Sequence, residues 1–258
     1  MLEKLKTVAW FAQRPVFWAQ AAELTMRKTR PNRDGAALRA KATEWAAKRQ
    51  SSVEDALRIV GLDVPASGIP KVDPNLLKEA EGRARASAVT MGGAGDLDLL
   101  HAAVSLSGAK AVVETGVAYG WSSLAILSAL NGREGACLVS VDMPYAKRNN
   151  EPFVGIAVPD RLRSNWTLLR EPDRNGLKKA VALHHAQIDL CHYDSDKSYY
   201  GRKFAYPILW ESLEQGGIFI SDDIQDNMCF AEFVQVIGYD FAVTHADGKF
   251  VGIMRKLR

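Results

Sequence analysis

Cysteine is scarce in this chain: Cys137, Cys191 and Cys229 are the three among 258 residues. An odd number, widely spaced and in apolar surroundings, suits neither a disulfide framework nor a zinc site, and fits buried thiols in a reducing compartment. Long hydrophobic runs are missing as well. No stretch approaches the roughly 20 uninterrupted apolar residues of a membrane-spanning helix, and the N-terminus has no compact apolar segment followed by a cleavage site. The expectation is a soluble, cytoplasmic protein. Also absent are an internal repeat, a low-complexity tract, a G-x-S-x-G elbow and the G-x-G-x-x-G dinucleotide fingerprint. What is present in quantity is core material: hydrophobic residues are 47% of the chain, enough for one large domain or one domain with an appendage.

The net charge of +3 conceals an asymmetry. Residues 1–50 carry eleven Lys/Arg against four Asp/Glu, or +7, which leaves −4 for the remainder. A basic segment with Trp10, Phe11, Phe17 and Trp18 interleaved can meet nucleic acid or an anionic membrane surface. The plainer reading is a helical arm that packs on the body or on a second subunit with its basic face in water, and nucleic acid is not the leading expectation.

Residues 1–60 read as helices broken at "TRPNRDG" (29–35). "SSVEDALRIVGL" carries a capping-box pattern in which Ser51 or Ser52 precedes Glu54 and Asp55. "DVPASGIPKVDP" (63–74) is a Pro/Gly-rich linker, which divides the chain into a helical arm and linker, 1–75, and a main domain, 76–258. Beyond residue 100, short apolar runs alternate with helical stretches: "AKAVVET" (109–115), "ACLVSVD" (136–142), "WTLLRE" (166–171), "IDLCHYD" (188–194) and "GGIFISDD" (216–223). Strand followed by helix five times over predicts an α/β fold with a parallel sheet covered on both faces. "FAVTHADGKFVGIMRK" (241–256) leaves no room for a helix, and its Asp-Gly pair predicts an antiparallel hairpin.

The first strand runs into "ETGVAYGWSS" (114–123), which opens a helix. Gly116 turns the chain and Gly120 permits close backbone approach, so a ligand can lie over the helix N-terminus. Glu114, two before the first glycine, suits an amine-bearing or cationic ligand better than a pyrophosphate. Asp142, at the end of the second strand, is placed to accept hydrogen bonds from ribose hydroxyls. Together they imply a ribose-bearing ligand with a positive end.

At this point the sequence resembles the class I S-adenosylmethionine-dependent methyltransferases, whose first motif is an acidic residue, x, Gly, x, x, x, Gly. More narrowly, "ETGVAYGWSSLAI" is similar to the E-x-G-V-x-x-G-x-S stretch of the cation-dependent O-methyltransferases of the catechol and caffeoyl-CoA types. The resemblance covers roughly residues 88–256. It implies a Rossmann-like doubly wound sheet of five parallel strands plus the terminal hairpin. It also implies S-adenosyl-L-methionine as cofactor, with Glu114, Gly116, Gly120 and Ser122 around its methionine part and Asp142 on the ribose. Met91 and Gly92, in "VTMGGAGDLDLLHAA" (89–103), would touch its ribose or methionine side. Dimers or higher homo-oligomers are implied too.

The stretch "CHYDSDKSYYG" (191–201) stands out for its density of charge. Asp194 ends the fourth strand, and Asp222 and Asp223 end the fifth. Neighbouring strand ends border one crevice, so the three carboxylates are expected to converge, and a hard divalent cation, Mg²⁺ first, would relieve their repulsion. The bland alternative is that Asp222 or Asp223 caps the following helix. "DSDKSYY" is similar to the D-A-D-K-x-x-Y segment of the caffeoyl-CoA type, which implies Asp194, Asp222 and Asp223 as metal ligands and Lys197 as base. A Lys197 close to a dication would have a depressed pKa; otherwise Asp194 or Asp196 takes the proton, the plainer reading of Asp196 being the cap of the helix near Ser198. Asp223 stands where those types have Asn, and an Asp-Asp pair is similar to metal-dependent sugar O-methyltransferases. The acceptor implied is a small polyhydroxylated molecule, a sugar or a catechol-like ring. Alternatives are a metal-independent N- or O-methyltransferase, or a non-catalytic cofactor-binding scaffold with a basic arm.

Among the histidines, His101, His184, His185 and His245 read as structural, while His192, two before Asp194, shares its pleat direction and is a candidate to support it. "YAKRNN" (145–150) and "EPFVGIAVPD" (151–160) form a long connection that reads as one wall of a substrate site. "REPDRNG", after the third strand, departs from the family's usual turn, so the residues meeting adenine are not assigned.

Overall fold

The computed structural model describes residue 7, residues 9–145 and residues 149–257. Among the described residues, α1 Trp18–Met26, α2 Ala36–Ala47, α3 Val53–Ile59, α4 Pro74–Arg85 and α5 Leu97–Ser107 precede the sheet. Then β1 Ala111–Thr115, α6 Trp121–Leu130, β2 Cys137–Val141, β3 Trp166–Leu169, α7 Asp173–Leu183, β4 Ile188–Tyr193, α8 Tyr199–Ser212 and β5 Leu213–Ser221 alternate. The chain closes with α9 Cys229–Ile237, β6 Phe241–Ala246 and β7 Lys249–Arg255. Among the described residues these strands form a seven-stranded sheet in the order β3-β2-β1-β4-β5-β7-β6. β1 to β5 pair in parallel, and β7 enters antiparallel between β5 and β6.

Burial explains why the strands read as uninterrupted apolar runs. Helices cover both faces, so "VVET" in β1 and "LVSV" in β2 are buried at every position. One core, beneath α5 and α6, takes Val112, Leu138, Leu190 and Ile218; the other, beneath α7, α8 and α9, takes Val113, Val139, Cys191 and Phe219. The β6–β7 turn is the two-residue Asp247-Gly248 loop, both residues at positive φ, as that dipeptide favours. β1 lies between β2 and β4, so the strand order reverses there and a crevice opens at the carboxyl ends of β1 and β4.

The basic arm packs on the body of the chain. Ser52 caps α3 by accepting from the Asp55 N–H at 3.1 Å, and the Ser51 N–H donates to the Val243 carbonyl at 2.8 Å, which ties this segment to β6. Arg27 pairs with Asp196, Arg30 with Glu23, Arg33 with Glu232 and Arg39 with Asp226. Trp10 stacks on Phe17, ring centroids 5.0 Å apart. No helix among the described residues is long and apolar enough to cross a membrane.

The tightest core contact couples the terminal hairpin to α9. A methyl group added at Gly252 in β7 would stand inside van der Waals contact of the Phe230 ring, and both residues lie in the buried interior. Gly252→Ala is therefore expected to lower the free energy of unfolding by about 1–3 kcal/mol through overpacking, measured by denaturant titration; an unchanged midpoint would mean that Phe230 yields freely.

Candidate functional site

The site begins where β1 turns. Gly116 has φ +81°, and a Cβ there would lie 2.6 Å from the Asp194 carbonyl carbon and 3.0 Å from the Ser195 nitrogen. Only glycine allows the β1 turn and the end of β4 to approach so closely. Glu114, fully buried on β1, accepts from the hydroxyls of Ser122, Ser123 and Ser140 at 2.5, 2.6 and 2.6 Å. Its carboxylate is thus satisfied inside the fold, and it reaches the crevice through Ser122. Gly120 opens α6 at the foot of the same turn.

Two cavities adjoin at Gly116, Tyr145, Asp194 and Ser195. The larger, about 320 Å³, runs along Asp142, Met143 and Asp173 out to α1. The smaller, about 80 Å³, is bordered by Gly92, Ser122, Lys197, Asp222 and Lys249. Met91 lines neither; its sulfur accepts from Asn150 Nδ2 at 3.5 Å. Asp142 Oδ1 accepts from the Val117 N–H at 2.9 Å, and its Oδ2 is met by Arg170, which also holds Glu151 at 2.7 Å. Burial pushes the Asp142 carboxyl above its ordinary range, against the pull of Val117 N–H and Arg170. Residues 146–148 of "YAKRNN" lie outside the described residues. "EPFVGIAVPD" folds back over the glycine turn, where Gly155 N–H donates to Ala118 and Ala157 N–H to Tyr119, each at 2.9 Å.

Asp194 and Asp222 each extend the ladder one residue past their strands: Asp194 N–H donates to Thr115 at 2.8 Å and Asp222 N–H to Tyr193 at 3.0 Å. The three carboxylates do gather, and cations of the protein stand among them. Lys197 Nζ contacts Asp223 and lies 3.2 Å from Asp194, while Lys249 Nζ is 3.8 Å from Asp223. Buried His192 lies 3.1 Å from Asp222 by Nε2 and 3.7 Å from Glu114 by Nδ1. Burial disfavours its charged form, but Asp222 and Glu114 prevail and push its pKa up to about 10, so it donates to Asp222 as an imidazolium. Lys197 departs from the depressed pKa expected beside a dication: burial lowers it, and Asp194 and Asp223 outweigh burial and hold it above the usual ammonium range. Burial and the facing Asp222 push Asp194 up.

Asp223 adopts φ +52°. Arg202, fully buried on α8, holds this turn by donating Nη2 to the carbonyls of Asp222 and Asp223 at 3.0 and 2.8 Å. Asp196 is not the cap of α8. Ser198 is, accepting from the Gly201 N–H at 3.1 Å, while Asp196 accepts from Ser198 and from Arg27. His101 and His184 are satisfied core residues, each 3.1 Å from a backbone carbonyl.

The donors fit a hard divalent ion in kind: three carboxylates, with the buried Oδ1 of Asp194 accepting no hydrogen bond. In position they hold an ammonium. No group of three or more His, Cys, Asp or Glu among the described residues is arranged around one point as ligands, because Lys197 stands between Asp194 and Asp223.

The strand order, the glycine turn and the paired cavities define an open α/β fold with a crevice at its topological switch point. Residues 113–224 match the family model for a methyltransferase domain. Its fold is similar to that of an O-methyltransferase from Bacillus cereus in complex with SAH, at TM-score 0.54 and 15% identity over 80% of this chain and 100% of that one. It is similar also to the cofactor-bound Rv0187 from MTB, at TM-score 0.53 and 16% identity over 72% of this chain and 92% of that one. At such identities the likeness is one of fold. No curated protein matches the chain in sequence.

Asp173, which opens α7 inside "REPDRNG", is a site residue that the sequence reading left unassigned. It lines the larger cavity and accepts from Ser195 Oγ at 2.5 Å; burial, above all, pushes its carboxyl up to about 7. Between about pH 4 and 7 the folded chain therefore keeps a proton that the unfolded chain releases, so this contribution is complete below pH 4 and lost as pH rises to 7. The melting temperature of the wild type minus that of Asp173→Asn is expected to fall from pH 4.5 to 7.5 in thermal melts. A constant difference would show that Asp173 ionises normally.

Proposed function

We propose that the chain transfers the methyl group of S-adenosylmethionine to a hydroxyl of a small polyhydroxylated acceptor, a sugar or a catechol-like ring. The carrying observation is the smaller cavity, where the Ser122 side of the glycine turn meets Asp194, Lys197, Asp222 and Lys249. The larger cavity beside it offers Asp142 to ribose hydroxyls and Asp173 to the adenine edge. Glu114, Gly116, Gly120, Ser122 and Gly92 surround the methionine end in this reading, with Met91 supporting Asn150 behind it. The arm's arginines are engaged with carboxylates of the same chain, which supports a packing role for it over one on nucleic acid or a membrane surface.

Methyl transfer forms a C–O bond as the C–S bond breaks, leaving S-adenosylhomocysteine and one proton from the acceptor. The enzyme must align the two partners and receive that proton. A Lys197 ammonium shared by two carboxylates has no lone pair to offer, whereas the Asp194 carboxylate, 3.2 Å from that ammonium, borders the smaller cavity and can accept a proton. We therefore assign the proton to Asp194, and to Lys197 the donation of a hydrogen bond to the acceptor oxygen. Mg²⁺ held by Asp194, Asp222 and Asp223 belongs to the same proposal. Once bound, it would orient vicinal hydroxyls and acidify the reacting one.

Calorimetric titration of SAH, with and without Mg²⁺, and turnover of sugar and catechol diols test this reading. Asp194→Asn is expected to lower kcat by about 10²–10⁴-fold while SAH affinity stays close to wild type. Turnover that survives excess chelator removes Mg²⁺ from the proposal; failure of the wild type to bind SAH removes the proposal itself.

A further inference from the structure

We propose that α1, which lies outside the stretch matched to the methyltransferase domain, completes the cofactor site, with Arg27 as a positioning residue that closes the larger cavity over the cofactor's nucleoside. The inference rests on the functional reading above. Gln20, Leu24 and Arg27 line that cavity together with Asp142, Asp173 and Phe204. The arm is thus a wall of the space into which the nucleoside fits.

What fixes the wall is an ion cluster centred on Glu23, which is only 3% exposed although it sits on a surface helix. Arg27, Arg30 and Arg174 approach its Oε1 at 3.1, 2.8 and 3.1 Å. Arg27 is the member that reaches the site. Its Nε donates to Glu23, its Nη1 to Ser198 Oγ at 2.7 Å and its Nη2 to Asp196 Oδ2 at 2.6 Å. Three donors of one rigid guanidinium are matched to three oxygens, two of them in the stretch that carries Lys197; a lysine ammonium cannot reproduce that fork.

Further ties continue the seam. Asp34 Oδ1 accepts from the Tyr199 N–H at 2.7 Å and from Asn227 Nδ2 at 2.8 Å, and Asn227 Nδ2 also donates to the Lys197 carbonyl at 2.9 Å. The Tyr200 hydroxyl donates to the Pro31 carbonyl at 3.0 Å. Ordering of residues 27–34 and ordering of residues 196–200 are therefore one event. A separate observation points to a ligand in the same place. Arg174, a wall residue stacked over Phe204 at 4.4 Å, has a buried Nε with no hydrogen-bond partner, and a nucleoside presents acceptors that such a donor can use.

The test compares Arg27→Ala, Arg27→Lys and Arg30→Ala in the full chain. Arg30 shares Glu23 with Arg27 but lies off the cavity wall, so a merely structural role predicts that the two alanine variants behave alike. The probes are SAH and 5′-methylthioadenosine, which lacks the amino-acid end, titrated calorimetrically, with thermal melts to confirm folding. Arg27→Ala is expected to raise Kd for both probes by about tenfold or more, because the cavity wall loses the charge-assisted tie of α1 to Asp196 and Ser198. Arg27→Lys should recover part of that loss, and Arg30→Ala should stay within about threefold of wild type. Wild-type affinity in Arg27→Ala, or equal losses in both alanine variants, would overturn the inference. A wild type that binds neither probe would overturn the functional reading, and this inference with it.

Discussion

The contact between Gly116 and the Asp194 backbone is the constraint on which the rest of the site depends. It sets the turn after β1 directly against the end of β4, so the loop that faces a cofactor and the loop that carries Asp194 and Lys197 share a wall. β1 and β4 are hydrogen-bonded neighbours, so pairing already sets their ends side by side. The positive φ and the missing Cβ of Gly116 then let the turn itself lie against Asp194 and Ser195. The two cavities meet at this contact, which is where a methyl donor bound on one side would face an acceptor on the other.

Around that contact the charges form a closed set. Asp194, Asp222 and Asp223 gather as their strand ends dictate, and Lys197, Lys249 and the His192 imidazolium stand among them. Carboxylates so close cannot all remain ionised without opposite charge nearby. Their repulsion is relieved either by a divalent ion or by the protein's own cations, and this chain contains the second ready made. The first requires Lys197 to release Asp223. A metal at this site would be coupled to movement of Lys197, so in the proposed reaction ion binding and acceptor binding would be linked rather than independent.

The sequence is most legible where a feature is local. The five parallel strands, the Asp247-Gly248 hairpin, the Ser52 cap and the glycine turn follow from period, propensity and turn chemistry within a few residues. Glu114, Asp142, Asp194 and Asp222 are legible one step further out, because strand ends in an alternating α/β pattern must share an edge. Arg202, Arg27 and Asp173 are not legible. Arg202 reads as an ordinary helix residue in "YYGRKF", and only the packing of α8 on β5 turns it into the buried support of the Asp222–Asp223 turn. The partners of Arg27 at Ser198 and Asp196 are 171 and 169 residues away. The state of Lys197 is hidden for a related reason. Its pKa depends on which charge stands nearest, and spacing in sequence gives neighbours but not distances.

The arm illustrates how a charge imbalance in composition can mislead. Seven excess positive charges in the first fifty residues resemble a surface meant for an anion, yet Arg27 and Arg33, after α1, and Arg39, in α2, face Asp196, Glu232 and Asp226. Those pairs offset part of the excess within the same chain. Because desolvated charge is tolerated only when paired and hydrogen-bonded, the nearly buried Glu23 could not persist if α1 were to lift away with Arg27 and leave Arg174 behind. The helix must stay docked as a whole or expose the cluster as a whole. The same ion pairs thus hold Gln20, Leu24 and Arg27 in place as lining of the larger cavity.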